Sequence, residues 1–315
     1  MAAQIVDIGR LYFSLPEFVR LSWTSEAARQ VWAYRFQRII RAWTTIELLA
    51  SAFGIRKCAL ITVSEEGLTA IEQIWQSKDL TAIKLKNPNA SDRALSGNSF
   101  ESERPLMSPL RLVIGRSPDV LEFQSVWADQ DANVIGEFLG YPACCRERFC
   151  ERHLAGYLID HTWPMAADSG SVSGSLALVQ ASGQPLANIF WKSAGIRAVP
   201  HLPCNLNCKA TLALGQQFLD VARQLQFSEE MDWLQQILSW PLAWSALHGI
   251  AEIKTPILKI ITRTEATAKK LMVEWAGHSY PAECAQGLAF PYKKSPLKGI
   301  TQSPAFQRGL VNLEP

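Results

Sequence analysis

The stretch KCALITVSEEGLTAIEQIWQSKDLTAIKLK, residues 57–86, decides the class of fold. Its first part, KCALITVS (57–64), is a short apolar run with β-branched residues and reads as a strand. Ser64 can cap a short helix carrying Leu68, Ile71 and Trp75, and LTAIKLK (80–86) reads as a second strand. Strand, helix and strand within one short span form a β-α-β signal. The expected class is therefore α/β or α+β, with mixed helices and strands whose topology the pattern leaves open.

Working outward, Trp32, Phe36, Ile39, Trp43, Ile46 and Ala50 recur at spacings of three and four, which predicts an amphipathic helix over Thr24–Phe53 with Gly54 as its stop. Downstream, Asn87–Ser108 is polar and aperiodic and reads as a surface loop or boundary. LRLVIG (110–115) reads as a strand and Ala132–Leu139 as a helix ended by Gly140. Pro142 then suits the first position of a further helix. Ser169–Ser182, rich in Ser and Gly, is expected to be a loop, residues 186–195 a helix stopped by Gly195, and 196–202 a strand. A helix from about Leu206 carries Leu214, Phe218, Val221 and Leu225. WSALHG (244–249) and PILKIITRT (256–264) read as strands, and Glu265–Trp275 as a helix. Three regions follow: 1–108, an N-terminal α/β part; 109–290, a metal-binding part carrying the cysteine motifs; and 291–315, an extended tail.

The 315 residues are 48% hydrophobic and 19% charged, which excludes a disordered chain, a collagen and a coiled-coil rod. Thirty-one Lys and Arg against 29 Asp and Glu leave a net charge of +2. That charge is too small for a dedicated duplex-DNA surface, and nucleic acid is not an expected partner. The start, MAAQIVDIGRLYF, lacks a basic region followed by an apolar core, so no signal peptide is expected. Trp233–Ala251 has no Asp, Glu, Lys or Arg, but its Gln, Ser, Pro and His residues favour a buried helix followed by a strand over a membrane span. The expectation is a soluble, cytoplasmic protein. There is no P-loop, no G-x-G-x-x-G and no G-x-S-x-G.

Seven cysteines are present, and five of them fall in two short segments. The first segment is GYPACCRERFC (140–150), with Cys144, Cys145 and Cys150. The second is HLPCNLNC (201–208), with Cys204 and Cys208. A proline precedes each group and a helical pattern follows, so both groups are expected in the first turn of a helix, where the free N–H groups and the dipole favour thiolate. Cys204 and Cys208, four apart, would share one helical face. Cys144 and Cys145 would diverge by about 100° on a regular helix and could converge only at an irregular start. Four thiolates from two helix ends suit an iron–sulfur cluster, with [4Fe–4S] favoured, or a closed zinc site as the alternative. Cys204-x3-Cys208 begins like a radical-SAM motif, but position 211 is Thr.

Beyond these four, Cys150 and His201 are candidate further ligands, with Cys150 or His201 near the reactive side; His153 lies three residues after Cys150. Cys58, in an apolar strand, reads as core. Arg146 and Arg148 flank the first cysteines as candidate anion contacts, and Trp163, Trp191, Trp240 and Trp244 as candidate pocket walls. YPAEC (280–284) echoes YPACC by chance.

The Leu139–Phe149 segment and the His201–Cys208 segment resemble a family of uncharacterised, largely prokaryotic proteins with Leu-Gly-Tyr-Pro-x-Cys-Cys-x3-Phe and His-x-Pro-Cys-x3-Cys motifs. The resemblance covers about a quarter of the chain and implies no activity. The reading from the residues is a metal-centred enzyme of redox or sulfur chemistry acting on a small molecule that the sequence does not name. Its alternatives are a non-catalytic, zinc-stabilised, partner-binding protein and a cofactor-free thiol or persulfide enzyme.

Overall fold

The longest helix, α1 (Glu26–Leu49), spans 24 residues, about 36 Å, and belongs to two cores at once. Ser25 caps it by accepting the Ala28 N–H at 3.0 Å. Trp32, Phe36, Ile39, Trp43 and Ile46 are all buried, which is the stripe expected from their spacing. The computed structural model describes residues 8–85, 110–173 and 177–282, and within them the chain mixes eight α-helices with one sheet of seven strands and one of three.

The smaller sheet contains β2 (Cys58–Val63) and β3 (Thr81–Leu85), joined by α2 (Glu65–Gln76), together with β4 (Leu110–Gly115). Ser64 caps α2 by accepting the Gly67 N–H at 3.1 Å. The expected β-α-β unit is present, but β2 and β3 are not neighbours: β4 lies between them, antiparallel to both. Period-two alternation then builds two faces. Val113 packs with Cys58, Phe123 and Phe138 beneath α3 (Ser117–Asp129) and α4 (Ala132–Phe138). Leu112 and Ile114 pack with Leu48, Leu49 and Trp75 beneath α1 and α2. The expected boundary at 108/109 thus falls between two hydrogen-bonded strands of one sheet.

The larger sheet takes β1 (Val19–Trp23) at one edge and β5 (Gly170–Ser173) and β6 (Leu178–Ala181) at the other. Between them lie β7 (Leu242–Leu247), β8 (Ile250–Lys254), β9 (Leu258–Arg263) and β10 (Leu271–Trp275), in the order β1-β9-β8-β7-β10-β6-β5. All pairings are antiparallel except β10 with β6. His248 and Gly249, both at positive φ (49° and 80°), make the two-residue turn between β7 and β8. The large core joins α1, α6 (Thr162–Ala167), α7 (Lys209–Gln224) and α8 (Ser228–Leu238) to this sheet. The remaining helix, α5 (Ala143–Leu154), carries the first cysteines.

Residues 170–173 and 178–181 are strands rather than loop; a Cβ on Gly170 would sit 2.2 Å from the Gln180 carbonyl, so the strand pair needs a residue that the eye reads as loop. Residues 186–195 form two 3₁₀ turns, not one helix. Asn188 breaks it, with Nδ2 donating to the Leu238 carbonyl at 2.8 Å and Oδ1 accepting the Phe190 N–H at 3.0 Å. Among the described residues, 196–202 pair with no strand. Within Glu265–Trp275 the ordered element is β10, not a helix.

Trp233–Ala251 divides into the end of α8, β7 and the start of β8, and no helix among the described residues is long and apolar enough to cross a membrane. Trp163, Trp191, Trp240 and Trp244 are core, not pocket wall. Residues 1–7, the Asn87–Ser108 segment, Cys284 and the 291–315 tail lie outside the described residues.

Candidate metal centre

The first segment folds around a helix-to-helix joint. Gly140 ends α4 at φ +72°, and a Cβ there would sit 2.7 Å from the Arg56 Cβ, so only glycine fits. Pro142 is the N-cap of α5, one residue before the position expected for it, and its carbonyl accepts the Cys145 and Arg146 N–H groups at 2.9 and 3.0 Å. Cys144 and Cys145 occupy the second and third helical positions of a regular first turn. Side chains in a first turn lean back past the helix end, so neighbouring thiols can converge there without any irregularity. Their Sγ atoms are 3.9 Å apart.

The second segment departs from expectation in a different way. Cys208 is the N-cap of α7, with Sγ accepting the Thr211 N–H at 3.5 Å, and Cys204 lies ahead of the helix in a turn. The two therefore do not share a helical face. That turn is tightly held. Asn205 Oδ1 accepts the Asn207 N–H at 2.8 Å, the Leu206 N–H donates to Ser169 Oγ at 2.7 Å, and the Leu206 carbonyl accepts the Gln184 N–H at 2.9 Å.

Together the segments bring four sulfurs to one point. Cys208 Sγ lies 3.7 Å from that of Cys144 and 3.6 Å from that of Cys145, Cys204 lies 4.0 Å from Cys144, and all four fall within 4.8 Å of one another. The four cysteines could hold a metal ion. Cys145 and Cys208 are buried, Cys204 is half-buried and Cys144 is exposed. The N-terminal ends of α5 and α7 both point at the group, which favours negative charge there.

A second ring of donors surrounds the sulfurs. The Cys204 N–H donates to Cys145 Sγ at 3.3 Å, and Asn205 Nδ2 donates to Cys204 Sγ at 3.4 Å. Thr211 Oγ1 lies 3.3 Å from Cys145 Sγ and 2.9 Å from His201 Nε2. Arg152 fastens the turn to α5, with Nη2 donating to the Cys204 carbonyl at 2.6 Å and to Asp168 at 2.8 Å, and Nη1 to the Pro203 carbonyl at 3.3 Å. In the metal-free thiol form, burial pushes the Cys204 thiol up to about 12 and Cys145 further still. Burial is the largest single influence on Cys208 and raises its thiol, but hydrogen bonds from Thr211, Cys204 and Cys145 together outweigh it and leave that thiol lowered to about 7.

The remaining candidates stand apart. Cys150 is half-buried on α5 near Asp131 and Arg146, outside the four-sulfur group, and burial raises its thiol. His201 is buried behind Thr211 with its ring 5.4 Å from that of Tyr141, and burial lowers it to about 3; it too lies outside the group. His153 stacks on Phe149. Arg146 bonds Asn133 Oδ1 at 2.9 Å and the Tyr141 carbonyl at 3.2 Å, and Arg148 pairs with Glu151 and Asp168, so both are engaged within the chain. Cys58 is core, its thiol raised by burial to about 12.

Sequence reasoning passed over Thr211, Arg152 and Asn205. The signal for Thr211 was its place three residues after Cys208, where the third position of a helix meets its cap. Arg152 gave none, because its partners are backbone carbonyls 51 and 52 residues away. No family model, curated protein or solved structure matches the chain, so the meaning of the centre rests on its geometry.

Proposed function

We propose that Cys144, Cys145, Cys204 and Cys208 hold a single tetrahedral ion, zinc, and that the ion is structural: it staples α5 to the turn before α7 in a protein that acts through its surface. The sulfur spacing carries this reading. Zn–S bonds of about 2.3 Å at tetrahedral angles put thiolates about 3.8 Å apart. Four of the six sulfur separations run from 3.6 to 4.0 Å, and all six lie within 4.8 Å. A [4Fe–4S] core places four irons between its ligands and spreads the thiolates to about 6 Å, which a group within 4.8 Å does not accommodate without opening. Four protein ligands also leave no open position for substrate, the mark of a structural rather than a catalytic zinc site.

The test is anaerobic purification followed by metal and acid-labile sulfide analysis. One zinc per chain without sulfide is expected, as is a tetrahedral ligand-field spectrum when cobalt(II) replaces zinc. Iron and sulfide in comparable amounts would overturn the proposal in favour of an iron–sulfur enzyme. A chain that binds neither zinc nor cobalt would overturn it outright.

A further inference from the structure

We propose that Cys144 is a modification site: its metal-bound thiolate is the one a small hydroperoxide oxidises, and Cys204 then closes a disulfide with it that expels the ion. The proposal rests on the single-ion reading of the centre and adds a reactant to it. The four sulfurs are not equivalent. Cys145 Sγ takes the Cys204 N–H and lies against the Thr211 hydroxyl, Cys208 Sγ takes the Thr211 N–H, and Cys204 Sγ takes the Asn205 amide. Among the described residues no N–H or O–H group donates to Cys144 Sγ, and Cys144 is the exposed member of the four. Donated hydrogen bonds withdraw charge from sulfur, and burial blocks approach, so nucleophilicity and access both concentrate on Cys144.

The resolving partner follows from geometry. Cys145 is adjacent in sequence, and a disulfide between neighbours would distort the first turn of α5. Cys208 is buried and tied to Thr211. Cys204 is half-buried, in a turn rather than a helix, 4.0 Å from Cys144. In the first step Cys144 Sγ attacks one peroxide oxygen. The O–O bond breaks, and the leaving hydroxide or alkoxide takes a proton from solvent to become water or alcohol. Cys144 is now a sulfenic acid. In the second step the Cys204 thiolate attacks that sulfur, the S–S bond forms, the S–O bond breaks, and the departing hydroxide is protonated to water. Two thiolates have lost two electrons and the peroxide has gained them. The ion keeps only Cys145 and Cys208 and dissociates.

The experiment begins with full-length protein shown by metal analysis to carry one zinc per chain. Hydrogen peroxide is added, zinc release is followed with a chromophoric chelator, and non-reduced digests are mapped by mass spectrometry. Zinc release should accompany a Cys144–Cys204 disulfide. A β-diketone sulfenic-acid probe added with the peroxide should label Cys144, an outcome that needs no variant and survives if Cys144→Ser misfolds. Cys144→Ser removes a ligand and so loosens the ion without peroxide, but peroxide should then add no further release, while Cys150→Ser should leave the peroxide-dependent release unchanged. Zinc that stays bound under peroxide, a disulfide without Cys144, or first labelling at Cys150 would overturn the inference while leaving the zinc reading intact. A chain that carries no zinc at the outset overturns both.

Discussion

Thr211 supports the four-cysteine group without being one of its candidate ligands. It is wholly buried, and its hydroxyl joins Cys145 to His201, whose other ring nitrogen, Nδ1, has no partner among the described residues. Thr211→Val keeps the volume and deletes the hydroxyl, leaving His201 Nε2 and Cys145 without that contact. Chelator competition should show metal affinity falling about 10- to 100-fold, and denaturant melts a loss of about 1–3 kcal/mol. Thr211→Ser should restore most of both. In the sequence this residue registers only as the cysteine missing from a radical-SAM pattern, because a hydroxyl at a helix start has many uses and its partners are set by tertiary structure. The four cysteines were legible for the opposite reason, since clustered thiols have few other uses. His161 supplies a titration at the same scale. Its Nε2 donates to the Tyr157 carbonyl at 2.8 Å, yet burial lowers its pKa to about 4. The unfolded chain takes up that proton below its usual value near 6.5, and the folded chain does not until about 4. Stability therefore falls as pH falls through that window, by up to about 3 kcal/mol. Denaturant midpoints measured from pH 7 to 4 should fall less steeply for His161→Gln.

Among elements, α5 does the positioning, and Arg152 is its grip on the rest of the chain. Its side chain is 6% exposed and holds two carbonyls and Asp168 together. Arg152→Met keeps the aliphatic stem and removes every donor. About 2–4 kcal/mol of stability should be lost, because hydrogen bonds from a buried charge are among the stronger ones. The cobalt(II) spectrum should broaden as Cys204 is no longer fixed, a change that a purely global destabilisation would not produce. Elements with local causes were readable from sequence: α1 from its stripe, α2 from Ser64, the end of α4 from Gly140. Elements decided at a distance were not. The residues before β10, Glu265 to Lys270, include good helix formers, but the strand itself lies between β7 and β6 with Leu271, Val273, Glu274 and Trp275 buried, so the period-two alternation that marks a half-exposed strand is lost. Its identity is set by partners that are remote in sequence.

For the molecule as a whole, the centre matters because of where α5 lies. Upstream, α5 packs on α4, which belongs to the core of the three-stranded layer, and Gly140 closes on Arg56 just before β2. Downstream, the turn carrying Cys204 and the helix capped by Cys208 belong to the seven-stranded body. The two layers already share α1 and the buried Arg197–Glu47 pair at 2.7 Å, so an ion held by the four cysteines would reinforce a junction rather than create it. That distinguishes this chain from a small zinc finger, which has no core without its metal. Stripping the ion should leave both sheets folded and lower the melting temperature. Zinc at a thousandfold excess over its Kd stabilises by about 4 kcal/mol, and each kcal/mol moves the midpoint of a chain this large by roughly 2 °C. A strong chelator should therefore lower the midpoint by roughly 8 °C with far-UV circular dichroism almost unchanged at 25 °C. Hydrogen exchange should rise first in α5 and residues 203–208, ahead of β7, β8 and β10. Collapse of the whole spectrum on chelation would mean that the ion creates the fold and that the shared helix does not suffice. An unchanged midpoint would mean that the four thiolates contribute nothing to the junction.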